Sequence, residues 1–414
     1  MAMHPILAAL RRHKSGVVLI SMQIALTLAI VCNAIFIIGQ RIERVNRPTG
    51  IDESNLFLVA QQWVGAPSGD DSAGVDKLDA LQLADLAALR NMPDVASAAP
   101  THALPLLRSG SISGIGLKPL QQKKTLTVNL YCSDEQFLKT LGLRLIAGRD
   151  FTAAEIQHRT FRDDSAPALA IISQSIADKL FPQGGAVGKV IYFDSGSTPT
   201  TVIGVVARLQ SPIFFADDDL TWDSVLIPIR QDANSVRYAV RAKPGRLEAA
   251  MRAVPDVLYA VNPIRVLDEH GVESFADIRA NAYRADIGMA ILMGVVCLVM
   301  LAVTAAGIVG LTSFWVGQRR RQIGVRRALG ARKSDILHYF QIENLLIAGI
   351  GTAIGGLLAF GLNLWLMKHF EMARLPVIYV LMGLAALLAL GQAAVYVPAR
   401  RASHVSPVEA TRAA

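Results

Sequence analysis

Gly184-Gly185-Ala186-Val187-Gly188-Lys189-Val190 has the composition of a loop that cradles phosphates, which would make the chain a nucleotide-binding enzyme. The spacing rejects that reading. A phosphate loop needs a glycine five residues before the Gly-Lys pair and a Ser or Thr after it to hold magnesium. Those places hold Gln183 and Val190, so the run reads as a turn before a strand. The 8 histidines (His4, His13, His102, His158, His270, His338, His369, His404) are scattered, with no HExxH and no Cys or His cluster at metal-ligand spacing. Asp268-Glu269-His270 before Gly271 reads as a solvated turn, and no Gly-x-Ser-x-Gly elbow offers a serine nucleophile. The expectation is therefore no catalytic, cofactor-binding or metal site and no enzyme activity in this chain.

A different chemistry, that of docking, is concentrated in residues 317–341. Arg319, Arg320, Arg321, Arg326, Arg327, Arg332 and Lys333 stand there against one acid, Asp335. Gly330 fits the end of a short helix and Ser334 the cap of the next, which continues through Ile336, Leu337 and Phe340. Such cations can simply hold a loop to anionic lipid and enforce orientation. The apolar Ile323, Val325, Ala328 and Leu329, interleaved with Arg326 and Arg327, also suit insertion into a partner's groove. Charge alone leaves both readings open.

The elements that position this segment are membrane spans. Only 18% of the 414 residues are charged, and mean hydropathy is +0.38, high for a soluble protein. Residues 17–38 are uncharged and as a helix reach roughly 33 Å, enough for a bilayer core. Further spans are expected at 287–316, 342–367 and 376–397. The first run is longer than a signal peptide's apolar core and leads into Phe36-Ile37-Ile38-Gly39-Gln40-Arg41 rather than a cleavage site, so it reads as an uncleaved anchor. Lys and Arg resist translocation, and the cations of 1–16, of 317–341 and of the tail 398–414 place both termini and that loop in the cytoplasm. The loop 368–375 and the long segment 39–271 then lie outside. The formal charge of +8 is accounted for by these flanks without nucleic acid as a partner. Gly351 and Gly355 make a small-xxx-small step for close helix packing, within one chain or between two. No span carries a charge in its middle, which argues for a membrane part that relays motion rather than a polar passage.

The outer segment reads as α+β. Strands are expected at 55–60, 125–131, 169–172, 189–193, 201–207, 224–229, 235–241 and 264–267, where Val, Ile and Tyr concentrate. Helices are expected at 78–92, 134–141, 174–180 with Ser173 as cap, and 247–261. A polar amphipathic helix at 272–286 leads into the second span as a stalk. Cys132 is the one cysteine outside the spans, so no disulfide can staple this domain.

Arg321-Gln322-Ile323-Gly324-Val325-Arg326-Arg327-Ala328-Leu329-Gly330-Ala331, followed by Ser334-Asp335-Ile336-Leu337 and Glu343, resembles the signature of MacB/FtsX-type ABC transporter permeases. Leu141-Gly142-Leu143 with Ala147-Gly148-Arg149-Asp150-Phe151, Leu180-Phe181-Pro182 with Val187-Gly188-Lys189, and Val202-Ile203-Gly204-Val205-Val206 are similar to that family's periplasmic core domain. Val397-Pro398-Ala399-Arg400-Arg401-Ala402 with Pro407-Val408-Glu409-Ala410 is similar to its last cytoplasmic segment. One departure is Gln322, where the family usually has Glu. The resemblance implies an α-helical inner-membrane protein of four spans with a periplasmic domain of two subdomains between the first and second. It further implies a dimeric ABC ATP-binding subunit that supplies ATP and magnesium, and a second permease copy or paralogue. Arg321, Ile323, Gly324, Val325, Arg326, Arg327, Ala328, Leu329, Gly330 and Ala331 would couple to that ATPase. The function implied is export of a periplasmic or membrane-derived compound, with or without an adaptor and outer-membrane duct. The alternative is a regulator that activates an extracellular partner such as a cell-wall hydrolase.

Overall fold

Within a bilayer the backbone has only itself to bond to, so a long uncharged run becomes a helix whatever its residue propensities. The run at 17–38 accordingly lies inside helix α1, Lys14–Val45. The computed structural model describes residues 14–404 apart from 68, 70, 161–162, 164, 214–219, 269–270 and 371–372. Arg11 and Arg12, Glu269 and His270, Glu371 and the tail from residue 405, including Pro407-Val408-Glu409-Ala410, lie outside the described residues.

After α1 the chain forms β1 (Leu56–Trp63), α2 (Ser72–Arg90), β2 (Val95–Thr101), β3 (Ser111–Gly116), β4 (Leu126–Cys132), α3 (Phe137–Leu141), β5 (Leu145–Gly148) and β6 (Gln157–Arg159). It continues through β7 (Leu169–Ser173), α4 (Gln174–Leu180), β8 (Val190–Phe193), β9 (Thr200–Val206), β10 (Ser224–Ile227), β11 (Ile229–Gln231) and β12 (Ser235–Ala242). Then come α5 (Leu247–Val261), β13 (Arg265–Val266), β14 (Val272–Ser274) and four helices: α6 (Phe275–Gln318), α7 (Arg320–Ala328), α8 (Lys333–Phe370) and α9 (Val377–Ser403). The chain divides into a membrane unit, residues 1–46 with 285–414, and an outer unit, residues 47–284.

The outer unit holds two sheets. In the first the order is β13–β1–β12–β2, with β14 also on β1 and every pairing antiparallel. Leu78, Leu86 and Leu89 of α2 and Val254 and Leu258 of α5 bury against Phe57, Val59, Tyr238 and Val240 of that sheet. Asp71 starts α2 by accepting the Gly74 amide at 2.7 Å. In the second sheet the order is β5–β9–β7–β10–β4–β3–β8, and β8 also pairs with β9, so all strands but β5 form a closed ring. Closure leaves few free edges to invite pairing with another chain. Val128, Ile172, Ile176, Ile191, Val202 and Val225 fill its core. Two parallel strands, β6 and β11, make a separate ribbon.

Several expected elements differ in detail. β2 and β3 carry Ala, Ser and Gly (VASAAPT and SISGIG) and gave no strand signal, because pairing across them is set by partners rather than by branched side chains. The helix expected from 272 begins at Phe275, since residues 272–274 are drawn into the first sheet beside β1. Ser173 does precede α4, but its hydroxyl donates to the Trp222 carbonyl at 2.6 Å instead of capping the helix. Gly148 and Gly204 face each other across β5 and β9, and a Cβ at Gly148 would stand 2.1 Å from the Ile203 carbonyl oxygen. With φ at +77° as well, position 148 admits only glycine without displacement.

One ion pair fastens α2 to the first sheet. Arg265 and Asp85 are both wholly buried and meet in a double contact, each 2.8 Å. Gln61 and Tyr238 bond the same Asp85 carboxylate at 2.9 and 3.0 Å, and Gln61 also accepts from Arg265 at 2.8 Å. A buried charge whose partner is deleted costs about 3–5 kcal/mol, whereas replacing the pair with apolar groups is close to neutral. Asp85→Ala is expected to destabilise the outer unit by about 3–5 kcal/mol, seen as a lower thermal midpoint, and Asp85→Leu with Arg265→Met to recover most of it, as read by calorimetry of the detergent-solubilised chain.

Candidate functional site

The membrane unit is assembled by small residues and by polar side chains that find backbone partners. An added Cβ at Gly351 would stand 2.8 Å from the Ser21 carbonyl oxygen, and one at Gly355 2.8 Å from that of Ala25. The small-xxx-small step therefore seats α8 against α1 of the same chain. Asn33 of α1 donates to the Ala359 carbonyl at 3.1 Å and Ser21 to that of Ile347 at 3.3 Å. Thr27 and Thr304 share a hydrogen bond of 2.8 Å, and Gln23 donates to the Val303 carbonyl at 3.1 Å, tying α1 to α6. Arg41 and Asp286 pair at the other end of the same two helices. Polar groups within these spans thus serve as helix-to-helix contacts.

At the basic end, α7 closes with Gly330 at φ +99°. The Ala331 amide donates to the Arg326 carbonyl and the Gly330 amide to that of Arg327, both at 3.1 Å. These are the paired bonds of a Schellman turn, which needs a left-handed residue where Gly330 stands. Ser334 is not the cap of the next helix. α8 begins at Lys333, and the Asp335 carboxylate, accepting the Arg332 amide at 2.9 Å, satisfies its first turn instead.

Of the ten residues expected to couple, two are turned inward. Ile323 is buried against the membrane-unit core that includes Ile336 and Phe340, and Gly324 is buried as well. Ile323 is thus held by this chain and not open to a partner's groove. Arg321, Val325, Arg326, Ala328, Leu329 and Gly330 are exposed, Leu329 at 83%, while Arg327 and Ala331 are half-buried. Arg327 donates to the Ser403 carbonyl at 3.0 Å, fixing α7 to the end of α9, and Arg326 lies over the Tyr339 ring at 5.1 Å. Sequence reasoning missed Arg319 and Glu343 as a pair. Arg319 meets both Glu343 oxygens, at 3.1 and 2.9 Å, with Glu343 buried. The signal was present as an acid opening an apolar run near a basic one.

At the start of α6, Phe275, Ile278, Ala282 and Tyr283 are buried. Arg279 pairs with Glu53 at 2.6 Å and donates to the Arg47 carbonyl at 2.8 Å, and Arg108 donates to the Ala282 carbonyl at 2.8 Å. These first turns are part of the outer unit's packing rather than a free stalk. The same helix runs on without interruption to Gln318.

The turn Gly184-Gly185-Gly188 has three glycines at positive φ and leads into β8, as its spacing suggested. The fold does bring Asp79, His158 and Asp232 within 4.8 Å of one another. Arg230 occupies both Asp79 oxygens, at 2.7 and 3.1 Å, and His158 holds Asp232 at 3.0 Å, so the group is a polar latch between α2 and the β6–β11 ribbon. Burial pushes the Asp232 carboxyl up to about 6, the His158 hydrogen bond opposing and Asp79 adding to the rise.

Two family models match the chain: MacB-like periplasmic core domain over residues 23–257 and FtsX-like permease C-terminal over residues 294–407. Among curated relatives, the macrolide export ATP-binding/permease protein MacB of Neisseria meningitidis serogroup A is 28% identical over 297 residues, covering 69% of this chain and 43% of its own length. MacB 1/2 of Paracoccus denitrificans is 27% identical over 430 residues, covering 99% of this chain and 58% of its own. The chain spans about half the length of the curated relatives it matches. A solved structure, the periplasmic region of MacB from Actinobacillus actinomycetemcomitans, aligns with 57% of this chain and 97% of its own at 17% identity and a TM-score of 0.35.

Two outcomes are expected. Glu343→Gln leaves the Arg319 guanidinium buried against a neutral amide and should destabilise the membrane unit by about 3 kcal/mol, with Arg319→Met/Glu343→Leu restoring it, as measured by thermal unfolding in detergent. For Asp232, whose folded carboxyl binds its proton more tightly than the unfolded one, the group's contribution to stability is fully present below pH about 4 and is lost as pH rises through about 6. Asp232→Asn should flatten that part of the stability–pH curve.

Proposed function

The chain belongs to the family that joins a MacB-like periplasmic core domain to an FtsX-like permease module, and from that premise we propose that it relays ATP-driven motion to its outer domain to drive export. The engine is an ABC ATP-binding subunit at the cytoplasmic face, which holds the ATP and magnesium. A second permease copy or paralogue completes the assembly. The basic turn around α7 and both termini lie in the cytoplasm and the outer unit in the periplasm, the orientation that the Lys and Arg flanks favour. The matched relatives bear the name of macrolide export, which favours transport over regulation of a cell-wall enzyme. The cargo is a periplasmic or membrane-derived compound.

The observation that carries this reading is α6. An uninterrupted helix of 44 residues runs for about 66 Å, its first turns packed within the outer unit, and Arg319 directly after its last residue pairs with Glu343. The exposed Val325, Leu329 and Arg321 on α7 offer a partner an apolar and cationic contact, while Ile323 and Arg327 bind that helix to the rest of the unit. Force applied to α7 is therefore transmitted to the spans instead of being absorbed by a loose loop. Polar side chains within the spans bond to neighbouring helices, which supports motion of helices over passage of a hydrophilic cargo between them.

The test uses the complex as purified from its native membrane. Gly330→Pro removes the amide that closes the turn and demands a negative φ at a left-handed position. Export and cargo-stimulated ATP hydrolysis should be lost while nucleotide binding by the partner persists. Export at the wild-type rate, or absence of any ATP-binding subunit from the purified complex, would overturn the relay.

A further inference from the structure

Apart from the family's energy coupling, the outer unit contains a groove of about 220 Å³ that no step above uses. β12 contributes Arg237 to it, the segment after β2 His102, the approach to β3 Ser109, and α2 Gln82. Its volume suits a ligand well below drug size.

Arg237, half-buried, differs from four other buried or half-buried arginines of this domain. Arg265 has Asp85, Arg230 has Asp79, Arg90 has Asp134 and Arg241 has Asp52. Arg237 has no carboxylate within ion-pair distance among the described residues. Its one bonded nitrogen, Nη1, donates to the His102 carbonyl at 3.2 Å and the Ser109 hydroxyl at 3.3 Å. The Nε and Nη2 edge makes no hydrogen bond among the described residues, and burial holds the guanidinium below its usual range. A guanidinium edge with neither a counter-charge nor a protein hydrogen bond is open to an anionic ligand.

The neighbour is a second donor. His102 Nδ1 accepts the Cys132 amide at 3.3 Å, which leaves the ring proton for Nε2, a buried nitrogen with no hydrogen-bond partner among the described residues. Burial, reinforced by Arg237 and opposed by a backbone interaction at Leu130, pulls the His102 imidazole down to about 4, so the ring is neutral at physiological pH and adds no charge. Gln82 gives its amide nitrogen to the Gln231 carbonyl at 3.2 Å and leaves Oε1 buried and unbonded among the described residues, an acceptor at the same groove. Cys132 is not a nucleophile in this setting, since burial pushes its thiol up to about 12.

We propose that this groove binds a small carboxylate that also carries an N–H group, in the size range of an N-acyl amino acid. The free guanidinium edge takes the two carboxylate oxygens side by side, a fit of planar fork to planar anion that a single lysine would not reproduce. His102 Nε2–H supplies a further donor, and Gln82 Oε1 receives the ligand's N–H. One guanidinium balances one carboxylate, whereas a phosphate dianion would be left with uncompensated charge.

Titration calorimetry on the full chain in detergent, with N-acetylglycine as probe, decides the matter. Saturable binding in the millimolar range or tighter is expected, with N-acetylglycinamide weaker by about tenfold or more because it keeps the N–H and loses the charge. Arg237→Gln should abolish binding and Arg237→Lys retain part of it, at unchanged thermal midpoint. If Arg237→Gln does not fold, the lysine variant and the acid–amide comparison on the wild-type chain carry the test. No saturable heat with N-acetylglycine, equal affinity for the amide, or tighter binding of inorganic phosphate would each overturn the assignment.

Discussion

A charge or backbone group taken out of water must bring its partner with it, and both halves of this protein are organised around that constraint. In the membrane unit the backbone satisfies itself as four long helices, and polar side chains such as Ser21, Thr27 and Asn33 bond to neighbouring helices. Glu343 is the exacting case. It is buried at the edge of a span and is tolerable there because Arg319 reaches it from just beyond the end of α6. That requirement fixes where α6 ends relative to α8, and so where the exposed face of α7 is presented.

The outer unit obeys the same rule with different means. Five arginines that could have been liabilities inside it are neutralised by aspartates or glutamates from other parts of the chain: Arg265–Asp85 fastens α2 to the first sheet, Arg230–Asp79 fastens the ribbon to α2, and the other three tie a helix or strand to a loop. Arg237 is the exception, and an exception to a rule so widely kept is a better pointer to ligand chemistry than a cavity by itself. The closed ring of strands contributes Ser111 of β3 and Cys132 of β4 to that groove, and β2 and β12 of the first sheet supply the facing residues.

Some of this was legible in the residues alone. The four spans were, since length without charge is a direct physical criterion, and so were strands such as β9 and β12, where Val and Ile concentrate. The ends of the helices were not: α8 starts at Lys333, well before the uncharged run that begins at Asn344, because a helix continues through polar flanks that water and headgroups can solvate. β2 and β3 escaped notice because small residues carry no hydrophobic pattern. Ile323 and Val325 look alike as apolar residues two apart, yet one is buried and the other exposed, a distinction only the packing of α7 on α8 can make. Nor could spacing reveal that Arg237 lacks an acid, since the pairs of the other arginines join residues as far apart as 85 and 265.

The account depends on α7 and the outer unit lying on opposite sides of the membrane, joined by α6. Labelling with a membrane-impermeant maleimide in intact spheroplasts tests that directly, using Leu120→Cys in the outer unit and Leu329→Cys on α7 in a background without the native cysteines. Both positions are well exposed, at 65% and 83%. Residue 120 should react at once and residue 329 only after the membrane is permeabilised; equal labelling of both in intact cells, or the reverse order, would contradict the account.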